Sequence, residues 1–424
     1  MTEVEIAASG QAALAPHLGL RGPRFLRYLG GYTADMIGDQ VWFIALSWAA
    51  ARAGDAGAAA LVVAAGTVPR MLLLLPAGVA VDRLGALRVA QAAQVLRIAA
   101  MSGAVFVGLT QERNLVLLGV LALLFGIGDA ARLPAATALP PFLLSTQDLP
   151  RGQGLLGTAG RLTTMMAGPA AGVALAVGGF TAAAGFTLLL CAVGLLAFLA
   201  LGRVDAVGNS DDGPQKATLR DGLRYVTECR SVGLLLLVVT AQNLALTGPL
   251  NLGLVLRSQE EGWGPQAVGL LFGVFGAAAA IGALWLVKCQ PRGRPALVGL
   301  GWGCLSALGL AGLGYAPDLV LAMPAVAVMG LALGPGSALL FGLIQAHTSR
   351  QYIGRVMSMT TFAAFGLTPV ALIGFGSLAQ VAGTSTSFSI ASACVAISCL
   401  AGAATPSLRE LRLPQARTEG GRDE

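Results

Sequence analysis

Seven charged side chains stand inside long apolar runs in the first half of the chain: Asp35, Asp39, Arg70, Arg97, Asp129, Arg132 and Arg161. A charge at the centre of a bilayer costs roughly 2.5–3.5 kcal/mol on insertion scales, so such residues face a bundle interior and serve pathways or relays. Asp35 and Asp39 are four apart and share one helical face. Asp39 lies roughly 14 residues into its run and Arg70 roughly 12 into the next. At ~1.5 Å per residue both sit near mid-depth, which predicts an Asp39–Arg70 pair. A carboxylate that alternates between an arginine and an apolar surround can take up and release a proton. Asp39, Asp35 and Asp129, with Arg70, are therefore the candidates for coupling to a proton gradient. The plain alternative is a static ion pair that holds helices together. Asp129 and Arg132, three apart, are expected to neutralise one another.

The second half offers neutral hydrogen-bonding groups instead: Gln242, Asn243, Thr247, Ser337, Gln345, Thr360, Thr361 and Thr368. With Trp263, Trp285, Trp302 and several Phe nearby, they suit a large, mostly apolar ligand. Asn243, Thr247 and Gln345, with Trp48 from the first half, are the candidates for lining its cavity. Hydrogen bonds between helices would use the same residues. His17 and His347 have no ligand partners in view, and no metal or cofactor is expected.

Elements able to hold such groups follow from composition. Hydrophobic residues make up 55% of the 424 and charged residues 11%, with a mean hydropathy of +0.74. Soluble domains carry about a quarter charged residues, so this chain cannot cover a water-facing surface. The runs exceed the roughly 10 residues of a barrel strand. Helices satisfy their own backbone in lipid, which leaves a helical bundle. The 58 glycines fit helices that approach closely. Runs at 25–50, 58–81, 87–109, 115–140, 153–176, 180–201, 231–256, 266–287, 296–315, 319–341, 355–377 and 384–404 predict twelve transmembrane helices. The polar stretch 202–230 divides them into two six-helix bundles, 25–201 and 231–404. That stretch combines a loose linker, Gly208–Pro214, with an amphipathic segment in which Leu219, Leu223 and Val226 share a face and Thr218 and Asp221 have capping-box spacing. It predicts a helix on the membrane surface.

With the N-terminus in the cytoplasm, about 20 Lys and Arg fall on the cytoplasmic side and about three (Arg52, Arg113, Arg257) opposite. The tails 1–24 and 405–424 and the central loop are therefore placed in the cytoplasm. The net charge of +6 is a topology signal, and no nucleic-acid partner is expected. Residues 1–20 lack a charged start followed by an apolar core, so no secretory signal is predicted. The six cysteines, Cys191, Cys229, Cys289, Cys304, Cys394 and Cys399, form no CxxC pair. Gly299, Gly301 and Gly303 sit in an apolar run with no strand before them, so they read as helix packing, and no ATP-binding loop occurs.

Between the second and third runs stands Gly78-Val-Ala-Val-Asp82-Arg83-Leu-Gly85-Ala-Leu-Arg88, an acid at a helix end, a glycine turn and basic residues. Asp82 could face the positive N-terminus of a neighbouring helix. This resembles the loop 2–3 signature of the major facilitator superfamily, GxxxDRxGRR, with Ala86 and Leu87 at usually basic positions. Gly168-Pro169-Ala-Ala-Gly172 resembles the GPxxGG signature of the antiporter branch, with Val173 in place of the last glycine, and a helix bend there is plausible. Further likeness to the drug:proton antiporter subgroup of macrolide, multidrug and enterobactin exporters lies in several segments. These are Gly38-Asp39 with Ala45–Trp48, Pro69-Arg70, Phe125-Gly126 with Asp129-Ala130 and Pro134-Ala135, Asp221–Arg224, Gly248-Pro249, Gln345 and Gly354–Met357.

The resemblance implies the major facilitator fold and a monomeric secondary transporter with lipid bilayer, protons and a small molecule as partners. It implies proton-coupled export of an apolar or amphipathic drug, antibiotic or metabolite from a bacterial inner membrane, with the loop 2–3 residues as a conformational switch. Proton-coupled uptake by the same fold is the alternative. An integral-membrane prenyl or acyl transferase would need clustered acids or a histidine at a membrane-facing loop, and none is present, so an enzyme is not expected. The predominance of Arg over Lys, with Lys only at Lys216 and Lys288, hints at a GC-rich genome.

Overall fold

The computed structural model describes residues 19–110, 114–145, 148–202, 219–288, 293–349, 352, 356, 359–360 and 362–411. His17, Arg113, the 208–214 linker, Thr218, Cys289, Gly354, Arg355, Met357 and Thr361 lie outside them, as do the side chains of Arg161, Leu219, Asp221 and Leu223.

Among the described residues every regular element is helical. The first half comprises α1 (Pro23–Ala53), α2 (Ala56–Leu84), α3 (Ala86–Thr110), α4 (Leu115–Thr137) and α5 (Leu149–Leu199). Next come α6 (Leu219–Glu228), α7 (Arg230–Gly248), a π-helical turn (Pro249–Gly253) and α8 (Leu254–Glu260). The chain continues through α9 (Pro265–Lys288), α10 (Pro295–Tyr315), α11 (Leu319–His347), a second π turn (Phe362–Gly366), α12 (Thr368–Ala382) and α13 (Thr384–Ala404).

Nine of the described helical stretches are long and apolar enough to cross a membrane. One of them, within α5, is two crossings in one. Gly178 and Gly179 leave helical geometry there, and Gly179 sits at φ 61°, where a side chain would be strained. This is the turn expected between residues 176 and 180. The more polar α1 and the segment Phe362–Ala382 complete twelve crossings. Local chemistry sets the ends. Asp55 Oδ1 accepts from the Ala58 amide (2.7 Å) to cap α2, Asn114 caps α4, and Asp318 caps α11. Pro23, Pro265 and Pro295 occupy first positions, where their missing N–H costs nothing. Gly85, at φ 90°, makes the tight turn from α2 to α3.

The five helices of the first half pack on one another, and α7–α13 do the same. The halves meet along α5 against α9 and α2 against α12. The amphipathic α6 forms as expected but is fixed to the second half. Its Tyr225 ring stacks on Tyr352 at 4.4 Å, and the Tyr225 hydroxyl accepts from the Ser349 amide at 3.1 Å.

Candidate functional site

Asp39 and Arg70 do lie at one depth, each fourteen residues from the adjoining ends of α1 and α2. Arg97 and Asp129 lie thirteen and fourteen residues from the matching ends of α3 and α4. Four helices thus bring charges to one level, and lateral packing decides who meets whom. Gly66 and Gly126 let α2 and α4 touch, since a Cβ on Gly126 would run into the Gly66 carbonyl. One turn further on, Arg70 is brought against Asp129.

The expected Asp39–Arg70 pair therefore does not form. Arg70 bonds Asp129 instead. Asp39 is held by Arg97 from α3 and by Arg132 from α4, the latter at 2.6 Å. Arg132 also reaches Asp129 at 2.8 Å, so the neutralisation expected within α4 is present, but as one link of a longer chain. Asp35 accepts from Arg97 (3.3 Å) and Gln94 (2.6 Å). The order is Arg70, Asp129, Arg132, Asp39, Arg97, Asp35, alternating in sign and balanced at three acids and three guanidiniums.

Exposure separates the members. Asp35 and Arg97 are 0% exposed and Asp129 and Arg132 3%, whereas Asp39 is 19% and Arg70 29%. Asp39 is the acid of this cluster that reaches its surface. Arg97 was visible in the sequence as an intramembrane charge, but its partnership was not, and Gln94 was missed. The signal was a glutamine and an arginine three apart at mid-depth in an apolar run.

The remaining candidates divide. Asn243 and Thr247 are half-buried on one face of α7, and Asn251 in the π turn, which the sequence reading missed, continues the stripe. Each bonds the carbonyl one turn earlier. Gln345 stands apart from this stripe: α11 runs on to His347, and Gln345 is exposed in its last turn. Trp48 is buried among the helix ends, and its carbonyl accepts from Gln259 of α8 at 3.1 Å. It belongs to a closure between the halves. Gln380 of α12 completes that closure by donating to Asp55 (2.9 Å).

Among the described residues these two hydrogen bonds join the halves, and both lie at the end that carries the α1–α2 turn. Backbone contacts support them. Gly172 of α5 meets Gly269 of α9, and Gly376 of α12 meets Ala56 and Ala60 of α2. Helical dihedrals continue through Pro169. Gly168, Pro169 and Gly172 accordingly serve close approach to Gly269 and Gly273, and the break in α5 comes later, at Gly178–Gly179. At the other end Gly78 is partly exposed and Asp82, Arg83 and Arg88 are exposed. Asp82 makes no hydrogen bond or ion pair with any described residue.

Twelve crossings in two packed halves, with paired charges inside one of them, are matched by the family model of the Major Facilitator Superfamily over residues 28–373. The chain belongs to the major facilitator superfamily. As such it is a multi-pass secondary transporter and not an enzyme. The multidrug efflux pump Tap of Mycobacterium tuberculosis (strain ATCC 25618 / H37Rv) is 29% identical over 416 residues, spanning 93% of this chain and 96% of Tap. The multidrug efflux pump Tap of Mycolicibacterium fortuitum is 26% identical over 415 residues, spanning 93% and 98%. The fold matches the nucleoside transporter NupG (TM-score 0.70, 12% identity, 89% and 98% covered). It also matches a bacterial homologue of the iron transporter ferroportin in an inward-facing state (0.71, 18%, 89% and 97%).

Proposed function

We propose that this facilitator is a proton-coupled exporter of apolar or amphipathic small molecules, with Asp39 as the group that exchanges the proton. The observation that carries this is the position of Asp39. It is the partly exposed acid of a balanced cluster, held between two guanidiniums that favour its charged form until a proton takes their place. Export is supported by the multidrug efflux pumps to which the chain is similar over nearly all its length. The ligand class is supported by the neutral stripe Asn243, Thr247 and Asn251, on a helix without a charge between Val232 and Leu256. Its amide oxygens accept no described intramolecular hydrogen bond, leaving them free for a ligand.

In inside-out vesicles, where the interior corresponds to the outside of the cell, an acidic interior should drive compounds from a drug panel inward. A protonophore should abolish that uptake. Accumulation indifferent to the protonophore would remove proton coupling.

The orientation we propose is both termini in the cytoplasm of a bacterial inner membrane, on the strength of the Lys and Arg distribution. The closed end is then extracellular, and the state is inward-facing. The partly exposed Cys229, between α6 and α7, should react with an impermeant maleimide in inside-out membranes and be protected in intact cells. Labelling in intact cells would invert the topology.

A further inference from the structure

Three acids sit in one cluster, and the number that carry protons sets the energetics of transport. We infer that only Asp39 does so. Asp35 is the permanent counter-ion of Arg97, and with Gln94 it positions that arginine against Asp39. This rests on the proposed proton coupling and adds a proton count of one per cycle.

The fold reserves a slot for Arg97. On one side Gly128 of α4 leaves room for its side chain, since a Cβ there would lie 2.6 Å from Arg97 Cγ. On the other, Gly194 of α5 makes way for the Asp35–Gln94 contact, with a Cβ falling 2.5 Å from Asp35 Oδ1. The guanidinium stands 4.6 Å over the Phe125 ring, whose face attracts a cation. Gln94 locks the arrangement. Its oxygen accepts from Arg97 Nη1 (2.6 Å), and its amide donates to Asp35 Oδ1 (2.6 Å) and to the Cys191 carbonyl (3.1 Å). Both donors and the acceptor of this fully buried amide are thereby fixed, which defines its orientation as well as that of its neighbours.

Asp35 has no place for a proton. Oδ1 already accepts twice, and Oδ2 lies 4.0 Å from Arg132 Nη1 with no hydrogen-bond partner. A proton on Oδ2 would be a buried donor without an acceptor, whereas the bare oxygen faces a cation. Asp129 is bound by Arg70 and Arg132 together. Charge balance points the same way: one proton takes the cluster from neutral to one net positive charge, and a second would put two in the interior of one bundle. One proton entering for each neutral substrate leaving moves one net charge across the membrane.

The test uses full-length protein in liposomes and the compound that gives the strongest pH-driven transport. With membrane potential clamped at zero by valinomycin and equal potassium, the equilibrium substrate ratio should follow the proton ratio to the first power. A second-power dependence would overturn the inference while leaving proton-coupled export standing. No dependence at all would remove the export reading, and infrared difference spectra of the protein in nanodiscs then decide the inference. Between acidic and neutral pH, a carboxylic acid band should appear in wild type, vanish in Asp39→Asn and persist in the charge-balanced Asp35→Asn/Arg97→Gln variant. A band that vanishes in the latter and persists in Asp39→Asn assigns the proton to Asp35 and overturns the inference. In transport, the balanced variant should keep a first-power ratio but move its half-maximal pH, because Asp39 has lost one of the two cations that hold it. A purely structural bracket would lower expression or rate with the pH profile unmoved.

Discussion

Asp39→Asn is expected to reduce pH-driven transport to the level of empty vesicles while leaving substrate binding measurable. Asn keeps the shape and part of the hydrogen bonding but cannot exchange a proton. The substitution also has a structural effect that must be separated from this one. It leaves Arg97 and Arg132 facing one carboxylate fewer, and removing one partner of a buried pair costs about 3–5 kcal/mol. The control is Asp39→Asn with Arg132→Gln, which removes one charge of each sign and leaves Asp35, Asp129, Arg70 and Arg97 balanced. Thermal unfolding in detergent should show that double variant to be more stable than Asp39→Asn alone. Transport should nevertheless stay uncoupled in both, with substrate running down its own gradient and no response to pH. If Asp39 were only a structural partner, the double variant would restore accumulation driven by a pH gradient, and the coupling role would be lost. The natural control from sequence alone would have been Arg70→Gln. The packing of α2 on α4 rules that choice out, because Arg70 belongs to Asp129.

That difference marks where the sequence stops being informative. Depth is a one-dimensional quantity that residue counting along a helix delivers, and Asp39, Arg70, Arg97 and Asp129 do share a level. Which of them meet depends on helix rotation and on neighbours, and that information sits in the glycines. Gly66 with Gly126 chooses the partner of Arg70. Gly128 makes space for Arg97, and Gly194 for the Asp35–Gln94 contact beside it. In a chain with 58 glycines nothing in sequence distinguishes these four from, for example, Gly301, around which a Cβ would find open space. The spans themselves were legible because long apolar runs depend only on composition. Even the join within α5 was marked, by a Gly-Gly pair. The place of Gln345 in the last turn of α11 was not legible because the helix extends past the apolar run into residues that are polar but still helical. The burial of Trp48 beside α8 was not legible because an aromatic at a helix end serves a cavity or a closure equally well in sequence. The loop 2–3 switch residues were recognisable by motif, yet the motif names no partner for Asp82.

The closure itself supplies the second large effect. Gly269→Leu should abolish transport and open the end that carries the α1–α2 turn. A Cβ at Gly269 would lie 2.6 Å from Gly172 Cα and 2.7 Å from the Gly168 carbonyl oxygen. Both are backbone atoms of another helix, so no rotamer relieves the clash and α5 must move away from α9. Overpacking of this kind costs about 1–3 kcal/mol. It falls on the state in which this end is closed, because that state holds α5 against α9 at Gly172 and Gly269. A difference of that size shifts a two-state equilibrium by roughly 5- to 150-fold. Losing the Gln380–Asp55 hydrogen bond should matter less, by about 0.5–1.5 kcal/mol, which ranks Gln380→Ala below Gly269→Leu. The readout is the reactivity of Ala60→Cys with a membrane-impermeant maleimide added from the side of the α1–α2 turn. Ala60, buried where α2 meets Gly376 of α12 across the two halves, should become reactive in the Gly269→Leu background and stay protected with Gly301→Leu. Equal protection in both backgrounds, together with undiminished transport, would show that the Gly172–Gly269 contact does not govern which end is open.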